Sequence, residues 1–389
     1  MSHSSRFPPI IGTVFIILAT TFTVRASNNM LITSMPLLTR YDFGFSQTQV
    51  GIIEALMALT AFLSAVFVNA RLNATQRRLA FISSTAAFSV LLMGFSVSGG
   101  ISVWLLSAAS GAAFGFIMPN IITSASLIED VRTRERVLSL YTLSLSLSLI
   151  AGPALESYLL RIITLKESYL IFAILGAVAT FLAPLIRFPV EPVSGGERTR
   201  VWSNPGFQAS VYNSLAYGIP FYVLIAFGGI YEVETFHISL SLVTLLFSLF
   251  FLTSFLARLC YSVWPPKRIT RHMAMAVALT IIGIVLMVAS NSLSLFMVSL
   301  LMLGVPHGLT YPLSVISINI SFTPQQRNVA NSLFFSVFMI VGTVLPLVSG
   351  LSIDHIGFKG TFLAILAAVI VVALLMSNSF RHWKSTAAS

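Results

Sequence analysis

The sequence has little charge, since charged residues make up 9% of its 389 positions. Soluble domains carry roughly 25%, and a soluble protein this poor in charge would expose large apolar patches and aggregate. The deficit argues against a soluble globular protein. Hydrophobic residues reach 56%, and the mean hydropathy is +0.92. The composition therefore predicts a polytopic membrane protein whose apolar surface faces lipid.

Cysteine is also scarce, because Cys260 is the only one. A single cysteine excludes an intrachain disulfide and a cysteine-based metal cluster. The sequence contains neither the phosphate-binding loop G-x-x-x-x-G-K-[ST] nor the zinc motif H-E-x-x-H. We therefore expect no metal, no cofactor, no direct use of ATP and no enzyme activity. The net charge of +10 does not indicate nucleic acid as a partner, because the basic residues are scattered among short loops.

Long apolar segments are abundant, and a spanning helix needs about 20 such residues. None shows the sustained alternation of a barrel strand, so we expect helices. Breaks at charged, proline-rich and glycine-rich positions give twelve segments, namely 9–38, 47–69, 78–98, 101–128, 136–160, 167–187, 204–231, 239–262, 272–291, 293–320, 326–352 and 358–379.

Lysine and arginine predict the orientation of these segments. With a cytoplasmic N-terminus, seventeen of the 22 basic residues fall on inner ends and loops, four fall outside, and Arg25 lies within a span. Cytoplasmic loops carry such an excess, and one missed helix would invert every later loop. Both termini are therefore predicted to be cytoplasmic.

The two halves of the sequence repeat at a shift of 193 residues. Gly111 then falls on Gly304 and Pro119 on Pro312, with further matches at glycine, proline and arginine. Six segments per half is an even number, so both halves have the same orientation and form a parallel repeat. The predicted domains are 1–187 and 204–389, joined by a cytoplasmic linker at 188–203.

Four stretches resemble the major facilitator superfamily: "FGFSQTQVGIIEAL", "GAAFGFIMPNIITSASLIEDVRTRERVLSLY", "GVPHGLTYPLSVISINISFTPQQRNVANSLFFS" and "VGTVLPLVSGLSIDHIGF". The resemblance covers nearly all of the chain. It implies an all-α major facilitator fold with twelve transmembrane helices in two parallel six-helix repeats. It also implies alternating access, with the first, fourth, seventh and tenth helices lining a central cavity. Gly152 and Pro153 resemble the G-P motif of the drug-efflux branch.

The sequence departs from the family pattern in three places, one of which is that Glu156 and Ser157 replace the glycine pair that usually follows the G-P motif. The loop "NARLNATQRR" has Asn69, Asn73 and Gln76 where glycine, aspartate and glycine are usual. The resemblance implies that this loop forms a charge latch on the cytoplasmic side. Loss of the aspartate implies a weaker latch, which Glu129, Asp130 or Glu135 would partly replace. Ser107 stands where many proton-driven members have an arginine, which argues against proton antiport of the usual kind.

Arg25 lies near the middle of the first segment, more than ten residues from either end. A charge at a helix centre costs about 2.5–3.5 kcal/mol on insertion scales, so it should face protein or a wet cavity. Helical spacing places Asn28 or Asn29 on the same face. We predict that these three residues bind substrate. The alternative is a structural ion pair between Arg25 and Glu54.

Two carboxylates are predicted to couple protons. Glu54 lies about 10 Å below the outer end of the second segment, under the opposed influences of burial and a nearby arginine. The alternative for Glu54 is static pairing or solvation in an outer vestibule. Glu156 lies four residues from the end of the fifth segment, and its main interpretation is a solvated helix end.

The seventh and tenth segments supply further predicted cavity residues. His307 and Tyr311 share one helical face with Ser314. A histidine titrates near neutral pH, so His307 is a candidate for gating or coupling. The alternative for His307 is a ring bonded to a neighbouring carbonyl. Gln208, Tyr212, Asn213 and Tyr217 are predicted to form a hydrogen-bonding wall. Kinks and tight packing of gating helices are assigned to Gly115, Pro119, Gly152, Pro153, Gly308, Pro312 and Pro346.

These features predict a secondary active transporter in the cell membrane that moves a small organic solute, either an organic anion or an amphiphile. An alternative is a multidrug efflux antiporter that exchanges protons. A different class is a non-transporting receptor or a lipid-modifying membrane enzyme, although the only acidic group, Glu129, Asp130 and Glu135, is explained by family loops. Expected partners are the solute, membrane lipids and candidate coupling protons, and we expect a monomer.

Overall fold

A computed structural model describes residues 10–126, 131–186, 188, 200–264 and 268–386, and these are almost entirely helical. Short π-helical turns extend α1 at Leu38–Asp42, extend α2 at Ser64–Val68, and join α7 to α8 at Leu224–Gly228. The α-helices are α1 Ile10–Leu37, α2 Gln47–Leu63, α3 Ala74–Ser96, α4 Ser102–Ser126, α5 Val131–Leu159, α6 Leu165–Leu182, α7 Pro205–Val223, α8 Gly229–Phe236, α9 Leu240–Val263, α10 Ile269–Ala289, α11 Leu293–Ser321 and α12 Pro324–Thr386.

Eleven helices in the described ranges are long and apolar enough to cross a membrane. The last of these, Val329–Trp383, has 55 residues, more than twice the length that one crossing needs. Gly357 interrupts it with φ 72° and ψ 175°, a conformation that side chains disfavour and glycine adopts readily. This break falls between the predicted segments 326–352 and 358–379.

Polar side chains at the loop ends determine where several helices begin. Asn73 accepts from the backbone nitrogen of Gln76, whose own side chain returns a bond to the Asn73 nitrogen. Thr164 and Glu167 form the same capping box before α6. Such caps satisfy backbone donors that the first helical turn leaves without partners. Asn73 stands where the family resemblance implies an aspartate, so α3 begins with a neutral cap.

The chain divides into two compact units. The first unit consists of residues 1–38 and 56–192, and the second of residues 39–55 and 193–389. Most of the predicted linker, 188–203, lies outside the described residues, and the predicted domain limits stay a prediction. The division falls inside α2, and we call residues 39–55 the docked segment because they pack with the second unit.

In the first unit, α1 packs against α5 and α6. The Ser144 hydroxyl donates to the Leu18 carbonyl at 3.0 Å, and the Ser27 hydroxyl donates to the Phe172 carbonyl at 3.0 Å. A Cβ on Gly152 would stand 2.6 Å from the Ala26 carbonyl oxygen, so glycine permits α5 to approach α1 closely. Pro153 follows inside α5.

The repeat predicted from sequence recurs in backbone contacts. In the first unit, a Cβ on Gly111 would collide with the carbonyl oxygen of Met57 and the hydroxyl of Thr60. In the second unit, a Cβ on Gly304 would collide with the carbonyl oxygen of Phe250 and the hydroxyl of Thr253. Each residue of the second group lies 193 positions after its counterpart in the first.

The predicted packing glycines Gly115 and Gly308 extend this correspondence. Gly115 lies against the carbonyl of Ala61, and Gly308 lies against the carbonyl of Ser254, again 193 positions apart. Pro119 lies within α4, Pro312 lies within α11, and Pro346 lies within α12. The two units therefore repeat the same close helix contacts.

The docked segment contacts α8 and α12 of its own unit. Arg40 Nη2 lies 2.7 Å from Glu234 Oε1. The carboxylate of Asp354 accepts from the backbone nitrogen of Thr48 at 2.8 Å and from that of Gln47 at 3.2 Å. A Cβ on Gly51 would collide with the Pro346 carbonyl oxygen. Ionic, capping and backbone contacts thus hold this segment in the second unit.

Candidate functional site

Arg25 is the central residue of a polar region in the first unit. Its guanidinium carbon lies 5.5 Å from the centroid of the Phe114 ring on α4, and it interacts electrostatically with Tyr141 on α5. Its Nε is buried without a hydrogen-bond partner. Within the described part of its own unit, Arg25 forms no ion pair. A contact with an aromatic face compensates a buried guanidinium only in part.

Asn28 and Asn29 follow Arg25 by three and four residues and are 3% and 4% exposed. The side-chain nitrogen of each is buried without a partner. In contrast, the hydroxyls of Thr21 and Thr33 donate to carbonyls four residues earlier in α1. These two hydroxyls are satisfied locally, whereas Arg25 Nε and the two asparagine nitrogens lack acceptors. Such donors suit a ligand with carboxylate, phosphate or other acceptor oxygens.

Glu54 and Arg25 belong to different units. Glu54 is 7% exposed, and its Oε1 has no hydrogen-bond partner. The predicted pair between these residues, and the proton-coupling role of Glu54, stay predictions.

Glu156 is fully buried, at 0% exposure. The interpretation as a solvated helix end is therefore wrong, because α5 still packs against α1 in its C-terminal turns. Ser34 of α1 lies close to this carboxylate, but neither oxygen has a hydrogen bond of good geometry. The Ser34 hydroxyl instead donates to the Met30 carbonyl at 2.8 Å. Its proton-coupling role stays a prediction.

Several predicted residues of the seventh and tenth segments have partners within the second unit. Gln208 Nε2 donates to the Trp202 carbonyl at 3.0 Å, and its Oε1 accepts from Ser379 at 3.2 Å. Tyr212 is partly exposed. Tyr311 is 48% exposed, and its ring lies 5.9 Å from that of Phe335. Their predicted contact with substrate stays a prediction.

His307 lies on α11 among aromatic rings. Its Nδ1 is 2.7 Å from the Ser254 hydroxyl of α9, so the bonded neighbour is a hydroxyl and not the carbonyl considered above. The Phe221 ring stacks on the imidazole at a centroid distance of 4.7 Å. His307 and Phe221 are both partly exposed, whereas Ser254 is buried. The imidazole is thereby fixed in orientation with part of its surface accessible.

The sequence did not single out Glu232, Thr310 or Phe221. Glu232 is 0% exposed, and neither carboxylate oxygen has a hydrogen-bond partner. It lies on α8, and this helix directly follows the π-helical turn Leu224–Gly228. Such turns are frequent at functional sites. A glutamate near a helix end gives no local signal of burial, so only the packing of α8 identifies it.

The loop between α2 and α3 contains no acidic side chain, yet it is ordered by neutral groups. Asn120 Nδ2 on α4 donates to Asn69 Oδ1 at 2.7 Å. Glu129, Asp130 and the side chain of Glu135 lie outside the described part of the chain. Their predicted role as substitutes for the latch stays a prediction.

Comparison with known proteins shows the family. A sequence model described as Major Facilitator Superfamily matches residues 17–269 and 209–385. No curated protein matches the sequence significantly.

Solved structures resemble the whole chain at low identity. A bacterial homolog of the human lysosomal transporter Spinster, inward-facing and unoccupied, has TM-score 0.75 and 13% identity, covering 97% of this chain and 98% of its own. A mutant of the nucleoside transporter NupG has TM-score 0.73 and 12% identity, covering 95% and 100%. The human organic anion transporter MFSD10 has TM-score 0.68 and 14% identity, covering 95% and 100%.

The helices, their composition and these fold similarities define a polytopic α-helical integral membrane protein. The chain belongs to the Major Facilitator Superfamily, a family of membrane transporters.

Proposed function

We propose that this protein is a secondary active transporter that moves a small organic anion, or an amphiphile with an anionic head, by alternating access. The observation that supports the anion most is the group of buried donors on α1. Arg25, Asn28 and Asn29 each present a nitrogen without an acceptor, and Arg25 forms no ion pair in the described part of its unit. Leaving such groups unsatisfied costs about 1–3 kcal/mol each, which an anionic ligand would offset.

The proposed topology has twelve crossings in the cell membrane with both termini cytoplasmic. The break at Gly357 supports it, because it would divide the longest helix into two crossings. The excess of lysine and arginine on the predicted inner loops supports the orientation. The two six-helix halves, 1–187 and 204–389, would rock about a central site.

The docked segment supports alternating access. The residues before and after it belong to the first unit, while its own contacts are with the second. Residues 39–55 belong by sequence to the predicted half 1–187, so a movement of that half that carried them along would have to break the Arg40–Glu234 ion pair and the Asp354 cap. The ion pair and the cap are polar contacts at partly exposed side chains, as a reversible closure requires.

The proposal is tested by ligand binding and flux. A panel of organic anions and matched neutral analogues is screened by thermal shift on the purified protein, on Arg25→Ala and on Arg25→Lys. We expect anions to stabilise the wild type, with about ten-fold weaker binding to Arg25→Ala, which corresponds to one charge-assisted hydrogen bond. Arg161→Ala is the matched control, because Arg161 is an exposed arginine of the same unit.

Flux of each hit into proteoliposomes then separates a transporter from a receptor or an enzyme. A transporter accumulates the anion in the lumen, whereas a receptor or an enzyme leaves the lumen empty of it. Equal stabilisation of the wild type and Arg25→Ala by every anion would refute the assignment of Arg25 to the site.

A second candidate is a proton-coupled multidrug efflux antiporter. The observation that favours it is the burial of Glu54 and Glu156 without complete hydrogen bonding. Flux of a hit is measured with and without an imposed pH gradient, on the wild type and on Glu54→Gln and Glu156→Gln. Proton exchange requires flux that follows the gradient and a variant that loses this response. Flux that ignores the gradient excludes this candidate and leaves the anion transporter.

A further inference from the structure

Three buried polar atoms on α7 and α11 have no hydrogen-bond partner in the described residues: Asn213 Oδ1, Tyr217 Oη and Thr310 Oγ1. Their residues are 1%, 5% and 4% exposed. Asn213 Nδ2 donates to the Thr310 carbonyl at 3.1 Å and to Ser314 Oγ at 2.9 Å. These bonds bring α7 and α11 together and fix the asparagine, yet leave its oxygen without a donor.

Aromatic rings lie directly beside this polar group. The Phe221 ring is stacked on Tyr217 at 5.6 Å and 28°, and on His307 at 4.7 Å and 28°. It is also nearly parallel to the Phe250 ring, at 6.3 Å and 16°. The bond between His307 Nδ1 and the Ser254 hydroxyl holds the imidazole in this stack. Phe221 and His307 keep part of their surface accessible.

The combination differs from ordinary core packing. A packed aromatic core has no need for three buried polar atoms without partners, and each such atom costs free energy. A flat ring with a polar substituent would satisfy both features, because it would pack against the accessible surface of Phe221 and His307 while its substituent bonded to the unpaired polar atoms. An aliphatic ring of the same size would gain the area but not the stacking.

We propose that Asn213, Tyr217, Phe221, His307 and Thr310 form a subsite in the second unit for an aromatic ring of the transported solute. Combined with the proposed function, on which this inference rests, the substrate class becomes an aromatic organic anion. The ring is recognised by the second unit alone, so this subsite is testable apart from Arg25.

The test uses two pairs of probes on the purified full-length protein. Benzoate and cyclohexanecarboxylate carry the same charge and differ in ring planarity. Phenol and cyclohexanol repeat this comparison without a charge. Dissociation constants are measured by calorimetry for the wild type, Phe221→Leu, Tyr217→Phe, Phe236→Leu and Arg25→Ala. Phe236 is the matched control, because it packs in a separate aromatic cluster with Tyr231 and Phe296.

We expect the wild type to bind benzoate about three- to ten-fold more tightly than cyclohexanecarboxylate, the range of one aromatic contact. Phe221→Leu should bring this ratio near one, and Phe236→Leu should keep it. Tyr217→Phe retains the ring and removes one oxygen atom, so it serves even where Phe221→Leu folds poorly. With 4-hydroxybenzoate as an additional probe, we expect the wild type to bind it more tightly than benzoate, and Tyr217→Phe to abolish this difference.

The outcomes separate this subsite from the proposed function. The subsite is overturned if the wild type binds both acids equally, or if Phe221→Leu leaves the ratio of the two affinities unchanged. In either case, an equal loss of affinity for both acids in Arg25→Ala still supports the anion site. Binding of the acids that is independent of Arg25 overturns the anion site, while the benzoate ratio still decides the subsite. If neither acid binds, phenol and cyclohexanol test the subsite. Tighter binding of phenol that is lost in Phe221→Leu supports the subsite, and the absence of this preference overturns it.

Discussion

Asp354 caps the first turn of α2, with its Oδ2 2.8 Å from the Thr48 backbone nitrogen and 2.6 Å from the Thr48 hydroxyl. The capping side chain comes from a residue about 300 positions later in the sequence. A carboxylate at a helix N-terminus satisfies orphan backbone donors and interacts favourably with the helix dipole. The docked segment is therefore fastened at the point where α2 begins.

Removal of this cap should expose the docked segment. Val50 is 0% exposed, so a cysteine introduced by Val50→Cys, in a Cys260→Ser background, should react slowly with a water-soluble maleimide. Asp354→Ala should accelerate this reaction about ten-fold, because loss of an N-cap costs roughly 0.5–2 kcal/mol. His355→Ala is the control, since His355 is the exposed neighbour on α12. Equal rates in both variants would show that the cap does not hold the segment.

Charge reversal should reveal the weaker contribution of the Arg40–Glu234 pair. The two side chains are 31% and 32% exposed, so solvent screens the pair and its contribution is small. Arg40→Glu should accelerate the same labelling reaction by a few-fold at low salt, and added Glu234→Arg should restore part of the protection. Restoration is incomplete because Arg40 Nη1 also donates to the Phe45 carbonyl at 2.9 Å.

Salt provides the control for that prediction. At about 1 M salt the screening length is roughly 3 Å, so the charge-reversal effect should nearly disappear while the Asp354→Ala effect largely persists. An Arg40→Glu effect that does not change with salt would show that steric disruption, not charge, is responsible.

The repeated glycine contacts predict matched losses of stability. Gly111→Ala and Gly304→Ala should each lower the thermal unfolding temperature by about 2–6 °C, because overpacking costs roughly 1–3 kcal/mol. The opposing gain in helix propensity, about 1 kcal/mol, is smaller, since the obstacles include the fixed carbonyls of Met57 and Phe250. Gly99→Ala is the control, because its Cβ would meet nothing within 4 Å. A stabilised Gly111→Ala would contradict the close contact.

Glu232 and Glu234 are two residues apart and should respond oppositely to neutralisation. Glu232 is buried without a hydrogen-bond partner, and burial of an uncompensated charge is costly. Glu232→Gln should therefore keep or raise the unfolding temperature in detergent. Glu234→Gln should lower it slightly, because the Arg40 ion pair is lost. Greater destabilisation by Glu232→Gln would mean that the buried carboxylate has a stabilising partner after all.

The sequence was most informative where backbone spacing determines the structure. The 193-residue shift correctly related Gly111 to Gly304, because only glycine allows two helices to approach this closely and both halves need it. The predicted break after residue 352 agrees with Gly357, whose positive φ is typical of glycine. The first predicted segment, 9–38, corresponds to α1, observed as Ile10–Leu37 and extended by the π-helical turn Leu38–Asp42.

The sequence was least informative where burial depends on distant residues. Glu156 and Glu232 both lie near helix ends, where a solvated carboxylate is the usual expectation, and both are fully buried. The polar atoms of Tyr217 and Thr310 have no local signal, because their lack of partners depends on how α7 and α11 meet. The docked segment likewise packs with residues about 300 positions away, a distance no local pattern encodes.

The Asn73–Gln76 capping box at the start of α3 consists of two uncharged amides. An amide neither gains nor loses a proton between strong acid and strong base, and dissolved ions do not weaken its hydrogen bonds as they weaken an ion pair. The first turn of α3 should therefore remain helical at low pH and at high salt concentration, conditions that would weaken a cap formed by an aspartate.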